Sequence, residues 1–195
     1  VITGVRRLKN RLPTLHHDIS VVVHASTLTT NAVVERKGAR TALLCTRGFP
    51  HLLASRRHQR VSTYELFSDA PDPLVPQYDV FEVTERTYSN GHILTSLSES
   101  EVRTIAQKLR DKGIESVAIA FLHSYANPTN ERETERIILE EWPEAIVSRS
   151  SHVLPEMREF ERTSTTVVNA YVRPLINLYL THLRDRLADE SIDSP

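Results

Sequence analysis

The sequence predicts an α/β domain built on a mixed sheet with a mostly parallel part, flanking helices and a β-ribbon insertion, and three observations carry that prediction. Short, β-branched or aliphatic runs such as Arg40 to Thr46 and Ser116 to Leu122 have no polar alternation, the pattern of strands covered on both faces. Amphipathic helical segments alternate with these runs, which calls for crossover connections. The composition is that of a globular chain: 39% hydrophobic and 25% charged, with Lys+Arg 24 against Asp+Glu 25 and a net charge of -1. That balance offers no general attraction to phosphate backbones or anionic lipid, so neither a nucleic acid nor a membrane is expected as a partner.

Taken in order, Val1, Val5, Leu8 and Leu12 recur at helical spacing and stop at Pro13. Ile19 to His24 is a continuous apolar run that reads as a central strand. The hydroxyl-rich stretch Ala25 to Asn31 then feeds a helix over Ala32 to Lys37, which Gly38 suits as the left-handed terminator. Arg40 to Thr46 is a second strand, and Phe49, Leu52 and Leu53 mark a helical turn beyond Gly48. Ser55 to Pro76 is first basic and then proline-rich, an ordered surface excursion anchored by Tyr64, Leu66, Phe67, Leu74 and Val75. Val80 to Arg86 and His92 to Thr95 bracket an Asn90-Gly91 pair, a hairpin signal.

Ser98 and Glu101 have capping-box spacing, and the helix they open carries Val102, Ile105, Ala106 and Leu109 on one face before Gly113. Ser116 to Leu122 is a buried strand. Asn127-Pro128 supplies a cap and a first-turn proline to a helix bearing Ile137, Ile138 and Trp142, and Ala145 to Ser148 returns as a strand. From Pro155 the chain reads as one long helix with Pro174 inside it, where a kink is expected, and 189–195 as a frayed tail after a single unit over 1–188. The chain opens at Val1 without a methionine, straight into helix, and reads as a piece of something longer.

The lone Cys45, inside an apolar strand, reads as a buried thiol of a reducing compartment, which places the protein in the cytoplasm. No apolar run reaches the length of a membrane span. Nine histidines are present, but His16 and His17 are adjacent and lack cysteine or paired-carboxylate partners, so no metal site is assigned. The sequence assigns no catalytic residue either: phosphate-loop, dinucleotide, zincin and nucleophile-elbow motifs are all absent.

What remains is the loop His24-Ala-Ser-Thr-Leu-Thr-Thr-Asn31, expected at the C-terminal end of a strand and the N-terminus of a helix, where free N–H groups favour an anion. Its alternative is local: one hydroxyl caps the helix and the rest pair with nearby backbone. A second group is Glu156 to Arg162, whose i, i+3 pair Glu159 and Arg162 has the spacing of a solvated helix-face ion pair. The hydroxyl run Ser164 to Thr166 and the triplet His123-Ser124-Tyr125 after a buried strand are weaker signals of the same kind.

At these residues the chain resembles the hydantoinase A/5-oxoprolinase family. The resemblance lies in segments 27–41, 46–49, 73–76, 121–128 and, above all, Val153 to Val172, in family order over nearly the whole chain. It implies an actin-like, ribonuclease-H-related ATPase fold, and an enzyme that opens cyclic amides such as hydantoin or 5-oxoproline at the expense of ATP and Mg²⁺; related subunits serve ketone carboxylases. Three departures stand out. The family's Asp-x-Gly-Gly-Thr phosphate loop would lie before Val1, so the domain is expected to be incomplete at its N-terminus, and the large core would follow the tail. His-Gly-Thr-Thr reads His24-Ala25-Ser26-Thr27, and Gly-Arg-Gln reads Arg56-Arg57-His58. The His of Asn-Pro-x-His-Glu is Asn130.

On this resemblance His24, Ser26, Thr27, Thr30 and Asn31 are the expected ligand-facing residues, with Arg57 and Arg162 as electrostatic candidates. ATP and Mg²⁺ are expected for the complete enzyme and not as tight ligands of this chain alone. The remaining core or a second subunit is the expected partner, with a small cyclic amide as substrate. A non-catalytic remnant that binds a partner subunit is the alternative reading.

Overall fold

The computed structural model describes residues 1–11, 21–57, 64 and 71–192. Four strands form a parallel sheet in the order β2-β1-β5-β6: β1 (Thr41–Thr46), β2 (Val80–Val83), β5 (Ser116–Ala120) and β6 (Ile146–Arg149). β1 and β5 occupy the centre and are buried at every position, which is why their sequences carry no polar alternation. A separate antiparallel ribbon pairs β3 (Arg86–Thr87) with β4 (Ile93–Thr95). Thus Val80 to Val83 leaves the expected hairpin and pairs in parallel with β1, because its apolar residues gain more from the sheet than from a two-stranded ribbon.

The helices are α1 (Ile2–Arg11), α2 (Leu28–Val34), α3 (Leu52–Ser55), α4 (Glu99–Asp111), α5 (Thr129–Glu141), α6 (Ser150–Val153) and α7 (Glu159–Asp189). On one face of the sheet, Ala42, Leu44, Val117 and Ile119 pack with Val102, Ile105 and Leu109 of α4 and Ile137 and Ile138 of α5. On the other, Leu43, Ala118 and Ala120 meet Val167 and Ala170 of α7 and Val75. The alternation along β1 and β5 therefore divides two cores, as strand geometry requires.

Several sequence expectations change here. The described part of the run Ile19 to His24 is not a strand: residues 21–24 carry no sheet pairing, and Val23 is 90% exposed. Both sides of β1 are already taken by β2 and β5, so the run has no place beside it. The following helix starts at Leu28, four residues earlier than expected, and its exit uses Arg36 in the left-handed region (φ 57) in place of Gly38. Arg36 is held there by hydrogen bonds from its guanidinium to the Pro73 and Asp72 carbonyls, at 3.1 and 2.5 Å. Gly38 serves space instead, since a Cβ there would overlap the Tyr171 ring. Tyr64 is 98% exposed and anchors nothing, whereas Val75 is buried; Leu66 and Phe67 lie outside the described residues.

Gly113 does take the left-handed position after α4, at φ 67, but Ser98 makes no side-chain cap. Its would-be partner Glu101 accepts the Thr84 N–H at 2.8 Å and pairs with Arg47 instead. The long helix begins at Glu159, four residues after Pro155, because Arg158 sits at φ 109, outside helical space; it then runs for 31 residues through Pro174. Of the expected tail, Glu190 is paired with Arg6 and Ile192 is buried.

Candidate functional site

The candidates read from the sequence fall into two places. His24 lies beside α7, its Nε2 2.6 Å from the Tyr179 hydroxyl. Ser26 Oγ accepts the Leu28 N–H at 3.1 Å, so this hydroxyl is used in a local turn, in line with the local alternative for this loop. Thr27 is the residue before α2 and makes no side-chain cap, while Thr30 and Asn31 lie on the helix itself. Arg57 pairs with Glu161 at the opposite end of α7, and Arg162 is next to that carboxylate in sequence. Arg162 and Tyr179 are separated by about 25 Å of helix at about 1.5 Å per residue. His24 and Arg162 therefore do not converge.

Arg162 is also not the solvated residue its spacing suggests. It is 0% exposed, and its guanidinium donates to Ser150 Oγ (3.1 Å), the Glu156 carbonyl (3.0 Å), the Phe121 carbonyl (2.8 Å) and the Glu159 carboxylate. All three of its nitrogens are committed. Ser164 and Thr166 bond back to the Glu161 and Arg162 carbonyls, at 3.2 and 2.7 Å, which accounts for two of the hydroxyls of that run.

Around Arg162 lies a buried polar cluster at the C-terminal end of the parallel strands, the edge at which open α/β sheets hold their ligands. Glu131 of α5, 0% exposed, accepts from the Phe121 N–H (3.0 Å), Ser150 Oγ (2.6 Å) and the Ser151 N–H (2.8 Å). Beside it, buried Glu85 accepts from Thr46 Oγ1 and from Asn130 Nδ2 (2.8 Å). Thr46 Oγ1 in turn accepts the Leu122 N–H at 2.9 Å, and Ser124 Oγ meets Ser150 Oγ at 2.9 Å. The His123 N–H faces Glu159 Oε1 at 3.4 Å. Four consecutive residues, Phe121 to Ser124, are thus each fixed by a side chain from another element.

Sequence reasoning misses Glu131, Glu85 and Ser150. For Glu131 a signal exists: it precedes Thr134 and Ile138 by three and seven residues, so it belongs to the buried stripe of α5. Glu85 follows a sheet strand in an irregular link, where no periodicity marks its direction.

Burial pushes the Glu85 carboxyl above the ordinary range; the Thr46 and Asn130 hydrogen bonds oppose this, and the nearby Glu131 charge adds to it. Folded Glu85 therefore keeps its proton to higher pH than it does in the unfolded chain. Its contribution to stability is full below the ordinary carboxylate pKa and is lost as pH rises through the raised one. Glu85→Gln, which cannot titrate, is expected to flatten that fall, as read from urea midpoints between about pH 4 and 8. A slope unchanged by the substitution would contradict the assignment. Cys45 is buried, and burial, then Glu82 and Glu85, push its thiol up to about 12, so it is an inert core side chain.

The described residues do not by themselves fit a MgATP site. The hydroxyl loop has one hydroxyl engaged locally, Arg57 and Arg162 are committed to carboxylates, and among the described residues no three His, Cys, Asp or Glu side chains converge as metal ligands. No helix among the described residues is long and apolar enough to cross a membrane.

A parallel sheet with flanking helices and a polar cluster at its strand ends defines the class of protein: an α/β domain. The chain belongs to the hydantoinase/oxoprolinase N-terminal region family, whose sequence pattern matches residues 1–142. It is 39% identical to an uncharacterized protein of Methanocaldococcus jannaschii over 90% of this chain and 26% of that protein. It is 30% identical to the caprolactamase subunit alpha of Pseudomonas jessenii over 89% of this chain and 25% of the relative. The crystal structure of the ATP-dependent caprolactamase from Pseudomonas jessenii superposes with a TM-score of 0.86 at 26% identity, covering 99% of this chain and 28% of that one. The chain thus spans about a quarter of the length of these two relatives.

Proposed function

We propose that these 195 residues are the N-terminal part of an ATP-dependent cyclic-amide hydrolase of the hydantoinase/5-oxoprolinase type, and that they do not turn over substrate alone. The observation that supports this most is the likeness to the ATP-dependent caprolactamase across 99% of the chain. The committed state of Arg57 and Arg162 agrees with a nucleotide site completed by polypeptide outside these residues. The partner is then the remaining core or a second subunit, and the substrate a small lactam or cyclic imide, handled in the cytoplasm.

The test measures ADP release by the complete protein with MgATP and 5-oxoproline, hydantoin or caprolactam in turn. Ring-opened product is expected in step with ADP for at least one of them, with none from the 195-residue chain. Absence of amide-dependent ADP release by the complete protein would overturn the reading. Submillimolar MgATP binding by the isolated chain, seen calorimetrically, would overturn its incompleteness.

A further inference from the structure

We infer that the cavity along the outer edge of β6 binds a small oxyanion, the phosphate or carboxylate group of a soluble ligand; the assignment does not depend on the function proposed above. β6 is the last strand of the sheet, with α5 against one of its faces and α7 against the other. A cavity of about 550 Å³ opens along it, within the size range of small-molecule sites. Its walls include Ser148 and Arg149 of β6, Glu135 of α5, His152 of α6, and Asn169 and Arg173 of α7.

The hydrogen-bond inventory of these walls is one-sided. The principal acceptors are engaged: the Val147 carbonyl takes Arg173 Nη1 at 2.5 Å, Asn169 Oδ1 takes the Ser148 hydroxyl at 2.9 Å, and Glu135 is ion-paired with Arg149 Nε at 2.5 Å. The donors are not. Arg173 keeps Nε and Nη2, Arg149 keeps Nη1 and Nη2, and Asn169 keeps its Nδ2 amide, none of them with a hydrogen-bond partner among the described residues. The three contacts that use up the acceptors also hold these side chains in place, so the free donors are presented by anchored groups. As an edge strand, β6 adds outward backbone N–H groups of its own.

Charge points the same way. Two guanidinium groups against the single carboxylate of Glu135 leave the walls net positive even with His152 neutral. A cation would meet donors and repulsion. An added β-strand would meet an edge carbonyl that Arg173 has capped, with a fixed cation beside it. An oxyanion supplies what the walls lack, several acceptor lone pairs and a negative charge, and the guanidinium fork matches carboxylate or phosphate geometry. The site also abuts the buried cluster, since Arg149 is followed directly by Ser150, the hydroxyl that Glu131 and Arg162 share.

The test is calorimetric titration of the complete protein with inorganic phosphate and with succinate, at fixed ionic strength. At least one is expected to bind with a Kd of about 1 mM or tighter. Arg173→Gln, whose amide can still donate to the Val147 carbonyl, is expected to weaken that binding about tenfold or more. Asn169→Asp keeps the acceptor for Ser148 but turns the free donor into a carboxylate oxygen, and should weaken it at least as much. Arg184→Gln removes the same charge from an exposed position further along α7 and should change Kd by less than about twofold. Binding of phosphate without succinate supports the site with a phosphorylated ligand, and binding of succinate without phosphate supports it with a carboxylic acid. Binding of neither, the result if an acidic segment of the remaining polypeptide fills the cavity, would overturn the assignment. Binding that both Arg173→Gln and Asn169→Asp leave intact, or that Arg184→Gln weakens equally, would overturn it too, by placing the anion elsewhere.

Discussion

Replacing Glu131 by alanine is expected to lower the unfolding free energy by about 3–5 kcal/mol, the range for breaking one side of a buried charged network. Glu131 holds the Phe121 and Ser151 amides and the Ser150 hydroxyl, and alanine offers none of them an acceptor. Truncation leaves both N–H groups unpaired and removes a buried anion that stands one hydroxyl away from the wholly buried Arg162. Glu131→Gln keeps one acceptor oxygen but loses the other, so a smaller loss is expected. Because Glu131 and Arg162 share Ser150, the pair Glu131→Leu with Arg162→Met should cost less than the two single changes summed. Urea denaturation of the singles and the double reads this directly. A Glu131→Ala cost below about 1 kcal/mol would mean that water satisfies these groups.

The same network explains what is legible in the sequence. The strands β1 and β5 and the helix over Glu99–Asp111 can be read because burial on fixed faces leaves a pattern and because Gly113 punctuates the end. Residues 21–24 have the composition of a strand, yet composition does not supply a neighbour, and pairing is decided by the whole sheet. Val80 to Val83 is recognisable as a strand while its partner is not, since the Asn90-Gly91 turn signals a hairpin that only Arg86 and Thr87 enter.

The candidate site is less legible for a related reason. Its residues come from the ends of β1 and β5, from α5 and from the start of α7, so they are brought together by topology and have no common spacing. Arg162 stands out in the sequence, but i, i+3 spacing to Glu159 says nothing of which side of the helix meets the sheet. Burial turns an ordinary surface pair into the centre of the cluster. His123-Ser124-Tyr125 is marked by its place after a strand, and the structure adds what spacing cannot carry: the contact of His123 Nδ1 with the Thr87 carbonyl and the left-handed backbone.

Gly38→Ala is expected to destabilise the chain by about 1–3 kcal/mol or more, through overpacking and not through backbone conformation. Gly38 is not among the glycines with positive φ, so an alanine could adopt its backbone. The obstacle is Tyr171, whose ring occupies the space of the added methyl. That ring cannot retreat cheaply: Tyr171 packs with Ala32 and Val172, and its carbonyl accepts the Ala39 N–H at 2.9 Å, tying α7 to the start of β1. Tyr171→Leu alone loses ring contacts and opens a cavity. In the double substitution the smaller side chain leaves room for the methyl, so the combined cost should fall below the sum by a measurable coupling energy. Strict additivity in a double-mutant cycle would show that Gly38 answers to something other than Tyr171. Coupling would show that α2 and β1 are held on α7 by contact between an aromatic face and bare backbone, and would explain why the helix exit falls to Arg36 while the glycine stands two residues later.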